Sequence, residues 1–333
     1  MKRTIGLAIL ALALSGAAAA QNAPPPQMPV FPQQTPEEKA KSDADQAAYA
    51  KMPDTEGTGA FAAMKEEDPG LPGHVVYRPK DLSKVGKGQL GIVGWGNGAC
   101  SNDGAGSRLY LAEVASYGYV VVAPGGIHSG PGSLPLPLPP PPPGPPKFVL
   151  ATTSGDVKAG IEWVLAENAR PGSPYYGKID PAKLAVAGFS CGGAQALDLA
   201  SDPRVKTVIM QNSGLFPDNM NFLPGLKMSK AMLKTLHTPI LYILGGPKDV
   251  AYNNGMDDFA RIDQVPVVAV SNDSNHGGDF LRPNGGPSAH AAVMWLEWQL
   301  RGDKKAAAYF VGKDCGICTD KQWTVQRKNL PAQ

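Results

Sequence analysis

Short apolar runs alternate with longer mixed segments from about residue 74 to residue 301. The runs His74–Pro79, Gln89–Trp95, Tyr119–Ala123, Leu184–Ala187, Val205–Gln211, Ile240–Leu244 and Val265–Val270 are rich in Val, Ile and Leu, and all but the first, which ends in Pro79, are followed at once by Gly, Pro, Asn or Ser, so they predict strands. Tyr119-Val-Val-Val-Ala123 is continuous rather than alternating, as expected of a strand buried on both faces. Between the runs, Ser107–Tyr117, Ser154–Asn168, Cys191–Ala200 and Pro287–Arg301 predict helices. Trp295 and Trp298 on the last of these read as core by their spacing. Such alternation predicts one α/β domain over 57–312, with a mostly parallel central sheet and helices on both faces. No linker divides it.

The flanks have a different pattern. Lys2 and Arg3 precede the apolar run Ile5–Leu14 and then small residues up to Ala20, the arrangement of a secretory signal peptide over residues 1–20. The run is too short to span a bilayer, so the mature chain is expected to be exported, periplasmic or secreted, with no membrane span. Residues 21–56 are rich in Pro, Gln and Ala and read as a flexible extension with one short helix near Glu37–Lys51. Residues 130–147 form a proline-rich inserted loop that follows a strand on the side where a parallel sheet builds its sites. Residues 313–333 form a tail carrying Cys315 and Cys318.

Charge and cysteines narrow the classes. Without Lys2 and Arg3 the chain has 29 basic and 29 acidic residues, so there is no electrostatic case for nucleic acid. Cys315-Gly-Ile-Cys318 lacks a second ligand pair or a thioredoxin-like setting, which favours a local disulfide over zinc or redox chemistry.

The chemistry concentrates in Gly188-Phe189-Ser190-Cys191-Gly192, which joins a strand directly to a small-residue helix. This is the nucleophile-elbow pattern, a turn so tight that glycines flank the serine. An acid and a histidine are then expected, in that order, after later strands. Asp249 follows Ile240–Leu244, and His276 follows Val265–Val270. Asp257 and Asp258 compete for the acid role but fall in a helix and read as solvent-facing. His74, His128, His237 and His290 are out of order and read as structural or surface residues. Ser190, Asp249 and His276 are therefore the candidate triad. The backbone N–H groups of Cys191 and of Asn97, in the loop after the Gln89–Trp95 strand, are the candidate oxyanion donors. Gly94-Trp-Gly96-Asn-Gly98-Ala99 also matches a dinucleotide fingerprint formally. The next strand, however, ends Ala123-Pro-Gly-Gly, without the acid that a ribose needs. No cofactor and no metal are expected.

The block Ser173-Pro-Tyr-Tyr-Gly-Lys-Ile-Asp180 through the elbow resembles the dienelactone-hydrolase-like α/β-hydrolases, more specifically the cutinase-type polyester hydrolases that include poly(ethylene terephthalate) hydrolases. The similarity runs colinearly from about Gly57 to Arg301. It implies a carboxylic-ester hydrolase with Ser190 as nucleophile, Asp249 as acid, His276 as base, and Trp95, Phe189 and Phe216 near substrate. Departures touch the substrate side: Phe189 and Cys191 replace the family's Trp or His and its Met, and Asn212-Ser-Gly-Leu-Phe216 stands where the family places a Trp. Dienelactone hydrolases use a Cys nucleophile, but Cys191 lies one position too late. In the implied fold Cys100 and Cys191 face each other across the site. Either a disulfide locks the two oxyanion loops, or both remain buried thiols. The expected activity is that of an exported serine esterase on small or polymeric esters. Lipase, polyesterase or amidase activity on the same scaffold is the alternative, and a non-catalytic binding protein is the rival class. Oligomeric state is not legible.

Overall fold

The structure, a computed structural model, describes residues 35–133, 150–220, 225–226, 228–279 and 281–331. The segment 1–20 read as a signal peptide, the first part of the 21–56 extension and most of the proline-rich loop lie outside the described residues.

Nine strands form one sheet: β1 Ala63–Glu66, β2 His74–Pro79, β3 Leu90–Gly96, β4 Tyr119–Pro124, β5 Ile179–Phe189, β6 Val205–Gln211, β7 Ile240–Leu244, β8 Val267–Ser271 and β9 Thr324–Lys328. Their order is β1-β2-β4-β3-β5-β6-β7-β8-β9. β3 to β8 run parallel, while β1, β2 and β9 pair antiparallel at the two sides. The helices are α1 Pro36–Lys51, α2 Arg108–Ser116, α3 Ser154–Ala169, α4 Cys191–Leu199, α5 Tyr252–Arg261, α6 Gly286–Arg301, α7 Lys304–Phe310 and α8 Gly316–Thr319. None of the described helices is long and apolar enough to cross a membrane.

Strand periodicity explains the two cores. Successive side chains point to opposite faces, so Val120, Val122, Val186 and Met210 join α3, α4 and α5 on one side. Val121, Ala187, Ile209 and Val268 join α2, α6 and α7 on the other. Both faces are therefore covered, which is why the central runs are continuously apolar. Trp295 is fully buried, donates to Thr207 Oγ1 at 2.6 Å and stacks edge-on with Trp298 and Phe310. Thr153 and Asp156 close a capping box that fixes where α3 begins.

Of the two flanking pieces, α1 is the helix expected near Glu37–Lys51, whereas strand β9 was not expected from the sequence. β9 adds to β8 as an edge strand, and Arg327 holds it by donating to the Phe310 and Gly312 carbonyls at 2.6 and 2.9 Å. α1 carries solvent-facing Lys39–Asp43 and Lys41–Asp45 pairs and has few apolar residues. Its anchor is Tyr49, whose hydroxyl donates to Gly106 O at 2.9 Å, while Arg108 lies 4.1 Å over the ring. Arg108 also donates to the Tyr49 and Met52 carbonyls, each at 2.7 Å, and pairs with Asp54.

One close contact positions everything at the carboxyl edge. The start of α4 packs backbone-to-backbone against the end of β3. A Cβ on Gly192 would lie 2.0 Å from the Gly96 carbonyl, and one on Gly96 2.3 Å from Gly192 O. Neither neighbour is a side chain that can rotate away. Gly192→Ala is expected to lower stability by at least about 2 kcal/mol in urea unfolding. A loss under about 0.5 kcal/mol would show that the two backbones separate easily.

Candidate active site

β5 ends at Phe189 and α4 begins at Cys191, leaving Ser190 alone in the turn with φ 52° and ψ −118°. A positive φ is costly for a residue with a side chain, and it persists because both sides are pinned. Ser190 N–H donates to Gln211 O at 3.0 Å, and its carbonyl accepts from Gly193 N at 3.0 Å and Ser213 Oγ at 2.7 Å.

His276 reaches the turn from the loop after β8. Its Nε2 lies 3.1 Å from Ser190 Oγ and its Nδ1 lies 2.6 Å from Asp249 Oδ1. Asp249 comes from the loop after β7, so the three residues picked from sequence order meet in space. The Asp249 side chain is fully buried and heavily hydrogen-bonded. Oδ1 also accepts from Ala251 N at 2.9 Å, and Oδ2 accepts from Gly245 N at 3.0 Å and Asn212 Nδ2 at 2.9 Å. Burial alone would push this carboxyl up, but the bonds from His276, Ala251 and Gly245 outweigh it and hold it below the ordinary aspartate range.

Asn212 is a residue the sequence reading passed over. Its Nδ2 bridges Asp249 Oδ2 and, at 3.0 Å, the carbonyl of Asn275, so it ties the acid to the histidine loop. Its own Oδ1 accepts from Gln211 Nε2 at 2.7 Å. Both Asn212 and Asn275 have positive φ, 43° and 59°, a conformation that asparagine tolerates better than most residues. The available signal was the Asn-Ser-Gly turn after β6, which attracted notice only as the place of an absent Trp.

Asp258 is not solvent-facing, contrary to its sequence reading. It is fully buried, 2.5 Å from Lys230 Nζ, and accepts from Leu215 N at 2.8 Å. Burial pushes it up to about 6, and it braces α5 away from the serine. His74 is likewise structural, with Nε2 2.9 Å from Asp156 O.

Cys100 and Cys191 are disulfide-bonded, with Cα atoms 5.3 Å apart. The bond joins the loop after β3 to the first residue of α4. In that loop Ala99 and Cys100 both have positive φ, 54° and 48°, and the Cys100 carbonyl accepts from Ala151 N and Thr152 N. Asn97 Nδ2 donates to Pro124 O and Ser101 O at 2.6 and 3.0 Å, and its carbonyl accepts from Cys100 N at 3.1 Å. The Asn97 amide nitrogen lies beside Gly192, 2.6 Å from where a Cβ would stand. Cys191 is the first residue of α4, so its N–H has no partner within the helix, and the helix dipole favours negative charge there. Cys315 and Cys318 form the second disulfide, with Cα atoms 5.0 Å apart.

A cleft of about 1120 Å³ surrounds Ser190 and His276. Phe189 and Phe216 line it, with the Phe189 ring 5.0 Å from the imidazole. Trp95 does not. It is 1 % exposed and packs 5.2 Å from Tyr110 in the α2–α6 core. The reason is strand alternation: Val93 and Trp95 share a face, and that face meets α2 and α6. The described start of the proline-rich loop, Gly130 to Ser133, borders the cleft, and so does α1.

No protein-family model matches the chain, and no curated protein is significantly similar to it.

A base within hydrogen-bond reach of a hydroxyl, held in turn by a buried carboxylate, is equipped to make that hydroxyl a nucleophile. Two stability predictions follow from the same geometry. The lowered Asp249 carboxyl contributes stability that is present above the unfolded aspartate value of about 3.9 and is lost as pH falls below it. The stability gap between the native chain and Asp249→Asn should thus be constant above about pH 5 and shrink below about pH 4. A gap independent of pH down to about 2 would contradict this. The Cys100–Cys191 bond closes a loop of 91 residues, so replacing both cysteines by Ser should cost up to about 4–5 kcal/mol in urea unfolding. A loss under about 1 kcal/mol would mean that the reduced chain keeps the loop closed by packing.

Proposed function

We propose that the protein is an exported serine hydrolase of the α/β-hydrolase type that cleaves carboxylic esters through an acyl-enzyme. The observation that carries this reading is the hydrogen-bonded line Ser190 Oγ, His276, Asp249, built at the carboxyl ends of the parallel strands β5, β8 and β7. A solvated histidine would not also meet a strained serine and a four-fold hydrogen-bonded buried carboxylate. The order of the three residues along the chain is the one used by α/β-hydrolases. The resemblance of the 173–193 segment to cutinase-type polyester hydrolases supports the same reading, as does a mostly parallel sheet with helices on both faces.

The chemistry follows from the positions. Ser190 Oγ attacks the ester carbonyl carbon as its proton passes to His276 Nε2. Asp249 holds Nδ1–H and stabilises the imidazolium. The N–H groups of Cys191 and Asn97 receive the oxyanion. The tetrahedral adduct collapses, the carbon–oxygen bond to the alcohol breaks, and His276 returns the proton to the departing oxygen. Water then repeats the sequence on the acyl-enzyme, releasing the acid and restoring Ser190. The disulfide fixes the two oxyanion loops relative to one another before substrate arrives, so neither must be reorganised during reaction. The basic and apolar leader, the two disulfides and the absence of a membrane-crossing helix among the described residues accord with export.

Ser190→Ala should lower hydrolysis of p-nitrophenyl butyrate by at least about 1000-fold while leaving the fold intact by circular dichroism. A fluorophosphonate should label the native chain and not this variant. Turnover retained in the variant would remove Ser190 from the reaction.

A further inference from the structure

The cleft is chemically asymmetric about Ser190, and the sheet order explains why. β5 lies between β3 and β6, so loops after β3 and β4 stand on one side of the serine and loops after β6 and β7 on the other. The first side presents Ser101, Asp103, Ser107, His128 and Ser129, whereas the large side chains of the second are Phe216, Met228 and Val250, with Ser213 (its hydroxyl bonded to Ser190 O) and Asn254 beside them. α1 belongs to the first side, because Tyr49 is bonded to Gly106 and clasped by Arg108. From that seat Gln46, Ala47 and Ala50 face the cleft.

We infer that α1 walls a polar arm of the substrate cleft, and that the substrate is an ester with a hydroxylated half lying against α1 and an apolar half lying against Phe216, Met228 and Val250. This rests on the esterase reading of Ser190 and adds the substrate class to it. A hydroxylated group exchanges its water for the polar groups of the first arm, whereas an alkyl group there would displace their water without replacing its hydrogen bonds. On the second arm the preference reverses, since apolar surface is removed from water against Phe216 and Met228. Ala47 and Ala50 are the small side chains of that wall, beside Gln46 and Lys51, so a large residue at either alanine would narrow the arm. An element with a single buried aromatic anchor thus determines which esters fit.

Glucose 6-butyrate and hexyl butyrate share an acyl group and differ in the polarity of an alcohol half of similar length. The full chain should hydrolyse the glucose ester with at least about tenfold higher kcat/KM. Ala50→Trp should lower the glucose-to-hexyl ratio at least about fivefold by filling the polar arm. Equal kcat/KM values for the two esters, or a ratio untouched by Ala50→Trp, would overturn the inference. A measurement without turnover separates it from the esterase reading. In Ser190→Ala carrying Ala50→Cys, glucose 6-butyrate should slow maleimide labelling of the new thiol at least about fivefold, and hexyl butyrate should not. Protection in the variant with no turnover by the native chain would keep the arm and sink the esterase. Turnover with neither protection nor a ratio change would sink the arm alone.

Discussion

The architecture of the site depends on two peptide planes touching. Where Gly96 meets Gly192, no side chain separates strand β3 from helix α4, and the helix can start directly over the end of β5. Three consequences share that origin. Ser190 is forced into a left-handed turn that exposes its hydroxyl. The amide of Asn97 is brought beside the first turn of α4. The two cysteines come close enough to bond. Any side chain at either glycine would undo all three together.

Electrostatics divides two buried aspartates into opposite roles. Asp249 sits among four donors, so its charge is retained in an interior that would otherwise reject it. Asp258 is buried with one ammonium and few other donors, and its carboxyl is pushed up instead. The first can steady a cation that appears on His276. The second serves to hold α5 and the segment after β6 in place. Their sequence environments differ by only nine positions, and the distinction lies entirely in what the fold aims at each carboxylate.

Much of this was legible because it is local. The parallel strands announce themselves as continuous apolar runs, and the elbow needs only five consecutive residues in a strand–turn–helix setting. Asp249 and His276 were found through order along the chain, which parallel topology converts into proximity. What was missed is non-local or weakly patterned. β9 is a polar edge strand, Thr-Val-Gln-Arg-Lys, whose partner supplies the hydrogen bonds and whose side chains carry no apolar alternation. Asn212 acts through two contacts 37 and 63 residues away. Trp95 is expected near substrate, but the period of the strand turns it into the core. Asp258 was judged by the polarity of its neighbours, although its own side of α5 faces inward.

The pairing of the cysteines follows the order in which they occur: Cys100 with Cys191, then Cys315 with Cys318. A chain threading amino-end first into an oxidising compartment would present each thiol with its rightful partner as the next one to arrive. The second pair emerges only after the first has had its chance to close. For a chain exported as proposed, no wrong bond need be broken on the way, and pairing in this order requires an oxidant but no reshuffling of mispaired thiols.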